Sequence, residues 1–130
     1  MAEGAEVPPE LQKYAVYALG KIQTSPAIAD GVAFVGSDDN YLYAVDLETG
    51  VKKWRFLARP DEAMPPGPIQ SSAAVADGTV YFGTVANHMY ALDTETGEEK
   101  WKFNIGSAVL SSPAIAGGTV YFGSWDNNIY

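Results

Sequence analysis

One eleven-residue pattern occurs twice in the chain. It reads AVDLETGVKKW at residues 44–54 and ALDTETGEEKW at residues 91–101, so the copies lie 47 residues apart (Ala44 to Ala91). Both fit Ala-x-Asp-x-x-Thr-Gly-x-x-x-Trp, and the order of residue types has a physical logic. Asp and Thr side chains bond turn backbone, Gly accepts a positive φ, and Trp delivers a large apolar ring to the strand that follows. Ala44, Asp46, Gly50 and Trp54, with Ala91, Asp93, Gly97 and Trp101, are therefore expected to hold structure rather than perform chemistry.

A second motif runs ahead of the first and occurs three times, as TSPAIADG (24–31), SSAAVADG (71–78) and SSPAIAGG (111–118). The intervals are 47 and 40 residues (Thr24 to Ser71 to Ser111). A period near 40 without 3.6-residue apolar spacing is the length of a four-stranded propeller blade. Within a unit, strand A is SPAIA, and Asp30-Gly31, Asp77-Gly78 or Gly117-Gly118 supplies a tight hairpin turn. Strand B is VAFVG, VYFG or VYFG, and strand C falls at 41–45, 88–92 and 128–130. The Glu-Thr-Gly turn leads into strand D, which carries Trp54 or Trp101. Residues 13–19, KYAVYAL, read as an isolated strand D ahead of the first unit.

The expected architecture is all-β, a propeller segment of about three four-stranded blades forming an incomplete ring. Residues 1–12 are acidic, Pro-containing and aperiodic and read as a disordered tail. The partial propeller spans 13–130, with 13–23 the outer strand of a broken blade, 24–70 blade 1, 71–110 blade 2 and 111–130 an incomplete blade 3. At 130 residues and 47% hydrophobic content the chain can build a real core.

These motifs resemble the quinoprotein-type propeller family, whose blades carry a tryptophan-docking motif of the form seen at 44–54 and 91–101. The resemblance spans residues 13–130. It implies that the Trp of one blade packs on the Ala and Gly regions of the next blade's motif. Two departures are visible: Tyr14 or Ala15 stands where strand D ahead of the first unit would carry Trp, and the third unit reaches Tyr130 without its Ala, Asp, Gly and Trp. The family also includes dehydrogenases that hold pyrroloquinoline quinone with calcium and a catalytic Asp, often beside a disulfide of adjacent cysteines. No residue here can be assigned to that set, so no cofactor, catalytic residue or metal ligand is expected. Members without quinone chemistry, including a bacterial outer-membrane assembly lipoprotein, use the propeller to hold partners.

Three units do not close a ring, and open blade edges invite another chain. Strand counting yields a head-to-tail homodimer in which each copy completes the other's broken blade, making a six-bladed ring with two-fold symmetry. The other explanation is that the chain is a piece of a longer propeller. A non-catalytic scaffold or protein-binding module is the leading function. The alternatives are a fragment of a quinone-dependent dehydrogenase and a trimmed or engineered repeat segment without native activity.

Charge and composition narrow the partners. Sixteen acidic against eight basic residues, a formal charge of −8, disfavour a nucleic-acid backbone. There is no cysteine, hence no disulfide, thiolate nucleophile or Cys-bound zinc. The opening MAEGAEVPPE lacks the basic and apolar regions of a signal peptide, and no run approaches 18 apolar residues, so neither a leader nor a membrane span is expected. The compartment stays open, either intracellular or reached with a leader since removed; members of the resembling family are often periplasmic or at the cell surface.

Repeats agree where they hold the fold and differ where they are free to contact something else. The B–C turns differ most, as SDDNY (37–41), TVANH (84–88) and SWDNN (124–128), and the first D–A connection, LARPDEAMPPGP, is seven residues longer than the second (17 residues from Trp54 to Ser71 against 10 from Trp101 to Ser111). The candidate binding face is accordingly Asp38, Asp39, Tyr41, Val85, His88, Trp125, Asp126 and Asn128. Asp38, Asp39 and Asn40 read as turn residues before calcium ligands, and His88 stands apart from any second ligand. Trp125 is either an interface anchor or packed on its own blade.

Overall fold

The computed structural model describes residues 20–130, and the strand expected at 13–19 lies outside them. Ten strands are formed, in chain order β1 (Ala27–Ala29), β2 (Val32–Gly36), β3 (Tyr41–Asp46), β4 (Lys52–Leu57), β5 (Ala74–Ala76), β6 (Thr79–Gly83), β7 (His88–Asp93), β8 (Glu99–Asn104), β9 (Ala114–Ala116) and β10 (Thr119–Tyr121). They make two four-stranded antiparallel sheets, β1-β2-β3-β4 and β5-β6-β7-β8, and a two-stranded sheet of β9 and β10. The described residues contain no helix. This is the expected unclosed propeller segment.

The local chemistry behaves as the residue types require. Asp30 and Gly31 adopt φ of 50° and 75°, and Asp77 and Gly78 repeat this at 48° and 73°, the doubly left-handed geometry that matches strand twist in a two-residue hairpin. Strand A is shorter than SPAIA, with three residues paired in each unit. The expected third strand C at 128–130 is reduced to one bridge, Gly123 to Ile129. With no fourth strand beside it among the described residues, that ladder has support on one side only.

The innermost strands converge, β5 lying against both β1 and β9. The main core fills the space between the two complete sheets and includes Phe34, Leu42, Ala44, Ile69, Val80, Phe82, Tyr90 and Leu92. Two close approaches fix how each D–A connection crosses its neighbour. A Cβ on Gly36 would stand 2.3 Å from Ile69, and one on Gly83 would stand 2.2 Å from Val109. A hydroxyl bonded to backbone opens each unit, buried in the first two and half-buried in the third. Thr24 Oγ1 donates to the Gly36 carbonyl (2.9 Å), and Ser71 Oγ accepts from the Gly83 amide (3.2 Å) and donates to the Ser111 carbonyl (2.8 Å). In the third unit, Ser111 Oγ bonds both backbone groups of Gly123.

Candidate functional site

Two regions gather the residues the sequence singles out. The first is the repeated Asp-x-x-Thr-Gly turn. Asp46 Oδ1 accepts from the Thr49 amide (2.8 Å) and hydroxyl (3.0 Å), and Asp93 Oδ1 accepts from the Glu95 and Thr96 amides (2.8 and 3.1 Å). Backbone donation from Thr49 and Thr96 holds both carboxyls below the usual aspartate range. Ala44 pairs with Trp54 and Ala91 with Trp101 across the last two strands of each sheet, with a bulge directly after each Ala. The Trp54 indole reaches the next sheet: its Nε1–H donates to the Thr94 carbonyl (3.0 Å), and its six-membered ring lies where a Cβ on Gly97 would fall, 2.6 Å from Cδ2. Phe34 of the same sheet packs against it in a tilted contact at 5.8 Å between centroids. Trp101 makes the matching contact with Tyr81 at 5.9 Å, yet it is 40% exposed, because among the described residues no turn follows Tyr130 to receive it.

The second region is the face of the B–C turns. Each turn hangs on the preceding D–A connection through one backbone bond, Asp38 to Lys21, Val85 to Pro68 and Trp125 to Ala108. The Asp38 carboxylate is gripped by two amides, Gln23 Nε2 (2.6 Å) and Gln70 Nε2 (3.1 Å), which come from successive connections. Asp39 accepts from Tyr43 Oη at 2.5 Å and from the Tyr41 amide. Asp126 plays the same part for Tyr130 Oη (2.6 Å) and the Asn128 amide, and the tyrosine bond draws its carboxyl down while raising the phenol. Burial, more than the Asp39 bond, raises the Tyr43 phenol. The Arg55 guanidinium stacks over Tyr41 at 4.4 Å.

The middle unit breaks this pairing. Ala86 occupies the position of Asp39 and Asp126, so Tyr90 Oη is buried without a partner, and burial pushes its phenol well up. The long connection explains the substitution, since Gly67 lies so close that its Cβ would stand 2.4 Å from that of Ala86. Lys102 Nζ also donates to the Pro60 carbonyl, tying the connection down over the second sheet.

His88 corrects the expected face. It is 6% exposed, and its Nδ1–H donates to the Ala86 carbonyl at 2.8 Å, so it serves its own turn. Val85 and Trp125 do reach solvent, Trp125 at 71%. The backbone-bonding hydroxyls of Thr24, Ser71 and Ser111, and the seating of Ile69 and Val109 against glycine, escape motif reading. The recurring Thr or Ser opening each unit is the signal that could have found them.

Among the described residues, no group of three His, Cys, Asp or Glu is placed to hold a cation. The acidic side chains on this face already accept bonds from Gln23, Gln70, Tyr43 and Tyr130. That donor set does not fit a calcium–quinone centre within these residues.

Comparison with known proteins agrees with this geometry. A family model described as outer membrane protein assembly factor BamB matches residues 13–74 and again 64–130. The chain belongs to that family, one of PQQ-like β-propeller repeats. No curated protein matches. Among solved structures, BamB from Moraxella catarrhalis superposes with a TM-score of 0.74 at 17% identity, covering 90% of this chain and 35% of its own. Quinohemoprotein alcohol dehydrogenase from Comamonas testosteroni gives 0.67 at 24% identity, over 80% of this chain and 17% of its own. A quinohemoprotein alcohol dehydrogenase from Pseudomonas putida HK5 gives 0.68 at 21%, over 79% and 21%. The chain thus spans about a third of the BamB structure and about a fifth of the dehydrogenases.

Proposed function

We propose that this chain is a non-catalytic propeller scaffold that holds a protein partner on its B–C face and completes its ring by pairing its open blade edges. The observation that carries the reading is the asymmetry between the two indoles. Trp54 is seated on the following sheet by a hydrogen bond and a glycine contact, while Trp101, its counterpart, packs on Tyr81 of its own sheet and has no glycine seat or carbonyl acceptor on a following sheet among the described residues. This is tryptophan docking used as a connector, and it supports an arc that continues in further blades. A head-to-tail second copy closing a six-bladed ring is the arrangement favoured here. The match to the BamB family supports partner holding as the role.

A second reading is favoured by the dehydrogenase structures, namely that the chain is a segment of a quinone-dependent dehydrogenase. Adding the quinone, calcium and an alcohol and following dye reduction separates the two. The scaffold reading expects no alcohol-dependent turnover; turnover above the protein-free rate overturns it.

A further inference from the structure

Opposite the B–C turns, the first two sheets enclose a cavity of about 170 Å³ between their inner strands. Its floor is apolar. Val32 and Phe34 are buried there and Val75 joins them from the second sheet, while the small side chains of Ala29 and Ala76 leave the space open. Its rim is acidic, with exposed Asp30 and Asp77 from the two A–B turns and Glu95 from the second unit's C–D turn. Among the described residues neither Asp30 nor Asp77 has a hydrogen-bond or ion-pair partner for its carboxylate, and that of Glu95 sits 3.8 Å from Lys53 Nζ. The rim is held in place: the Thr94 amide donates to the Gly78 carbonyl (3.0 Å), and Trp54 Nε1 donates to the Thr94 carbonyl from the first sheet (3.0 Å).

The same place between the second and third units is built differently. Thr79 and Tyr81 stand where Val32 and Phe34 do, and Gly117 stands where Asp77 does. Units agree where they hold the fold, so the apolar floor beneath two carboxylates is a property of the first junction and is not demanded by the hairpins. The hairpin turn itself forms with Gly117-Gly118 as it does with Asp77-Gly78.

We infer that this cavity binds a small organic ammonium, with a benzene-sized apolar body on Val32, Phe34 and Val75 and a primary ammonium one or two carbons away at the Asp30 and Asp77 rim. The volume suits such a body, since an apolar cavity of roughly 150 Å³ accepts benzene. The order of the two surfaces selects the ligand. A lysine or arginine side chain of a partner enters charge first, which strands the cation on an apolar floor, whereas a ligand whose apolar end leads meets both surfaces. A free arylalkylamine and the aromatic first residue of a peptide with a free amino terminus share this chemistry. The site needs only the first two units, so it goes beyond the scaffold reading and stands or falls without it.

Titrating the full chain with phenethylammonium and following amide proton and nitrogen resonances tests the site. Saturable shifts are expected at Gly31, Gly78 and Thr94 and not at Gly117 or Gly118, and phenylacetate, with the same ring and the opposite charge, is expected to produce none. Asp30→Asn with Asp77→Asn keeps residues that accept the left-handed φ of 50° and 48° and should weaken binding about fivefold by removing two exposed charge contacts. Val32→Thr with Phe34→Tyr copies the residues the second unit already carries and should weaken it roughly tenfold by placing hydroxyls on the floor. The tripeptide amide Phe-Ala-Ala, free and acetylated at its amino terminus, separates the sources: tighter binding of the free form than of phenethylammonium assigns a chain terminus, and the reverse assigns a free amine. No shift with either ammonium, equal shifts at Gly117 and Gly118, equal binding of phenylacetate, or unchanged affinity in the double Asn variant overturns the inference.

Discussion

Replacing Gly97 by alanine isolates what the indole contact contributes, because the structure supplies its own control at Gly78. The two glycines have nearly the same φ, 74° and 73°, so each substitution carries the same left-handed penalty of about 1 kcal/mol. They differ in what the new methyl meets. At Gly78 there is nothing within 4 Å, whereas at Gly97 it would stand 2.6 and 2.7 Å from Cδ2 and Cε3 of Trp54. The ring must retreat, which stretches the 3.0 Å bond from Nε1 to Thr94 and loosens packing on Phe34. The lost bond is worth about 1 kcal/mol and the opened packing roughly another 1–2 kcal/mol. Gly97→Ala is therefore expected to cost ~3–4 kcal/mol against ~1 kcal/mol for Gly78→Ala. Urea unfolding followed by far-UV circular dichroism measures both, and indole emission should shift to the red only for Gly97→Ala. In a Trp54→Phe background the gap between the two should shrink, since the clashing bicycle is gone. Equal losses at both glycines, or an unchanged gap in that background, refute the argument.

Other outcomes follow from the same structure. Tyr90→Phe removes a buried hydroxyl that has no partner and should leave thermal stability unchanged or higher by up to ~1 kcal/mol, while Tyr43→Phe, which breaks the bond to Asp39, should lower it. Ser71→Ala strips two bonds from a fully buried site and should cost ~1–3 kcal/mol in urea, more than Ser72→Ala. For Asp46 and Asp93 the folded carboxyls sit below their unfolded values, so their stabilisation is complete above the ordinary aspartate range and fades as pH falls through the lowered folded values. Asp46→Asn with Asp93→Asn keeps the side-chain acceptor but removes the titration, and its acid unfolding curve should be flatter there.

What the sequence discloses and what it conceals divide along the distance between partners. Asp30-Gly31 and Asp46 through Gly50 act on backbone a few residues away, so their types announce the turns, and three spaced copies announce the blades. The mate of a long-range contact is not marked in this way. Ser71 lies 40 residues from Ser111, Trp54 lies 40 from Thr94, and Ser25 bonds Ser72 across 47. His88 shows the opposite failure. A turn-flanking histidine in a variable stretch reads as a surface group, but β7 is sandwiched between β6 and β8 and its ring is folded back onto its own turn. Ala86 looks unremarkable until Gly67, nineteen residues earlier, is found pressed against it (Gly67 to Ala86).

The forward reach of Trp54 gives the assembly a polarity that pairwise strand bonding lacks. Each unit lends a ring to the one after it, so parting the first unit from the second, from whichever end, withdraws the Trp54 indole from the Thr94 carbonyl and the Gly97 seat. Separation at that seam would thus be visible in indole emission, with the chromophore always leaving on the amino-side unit and the bare carbonyl on the other.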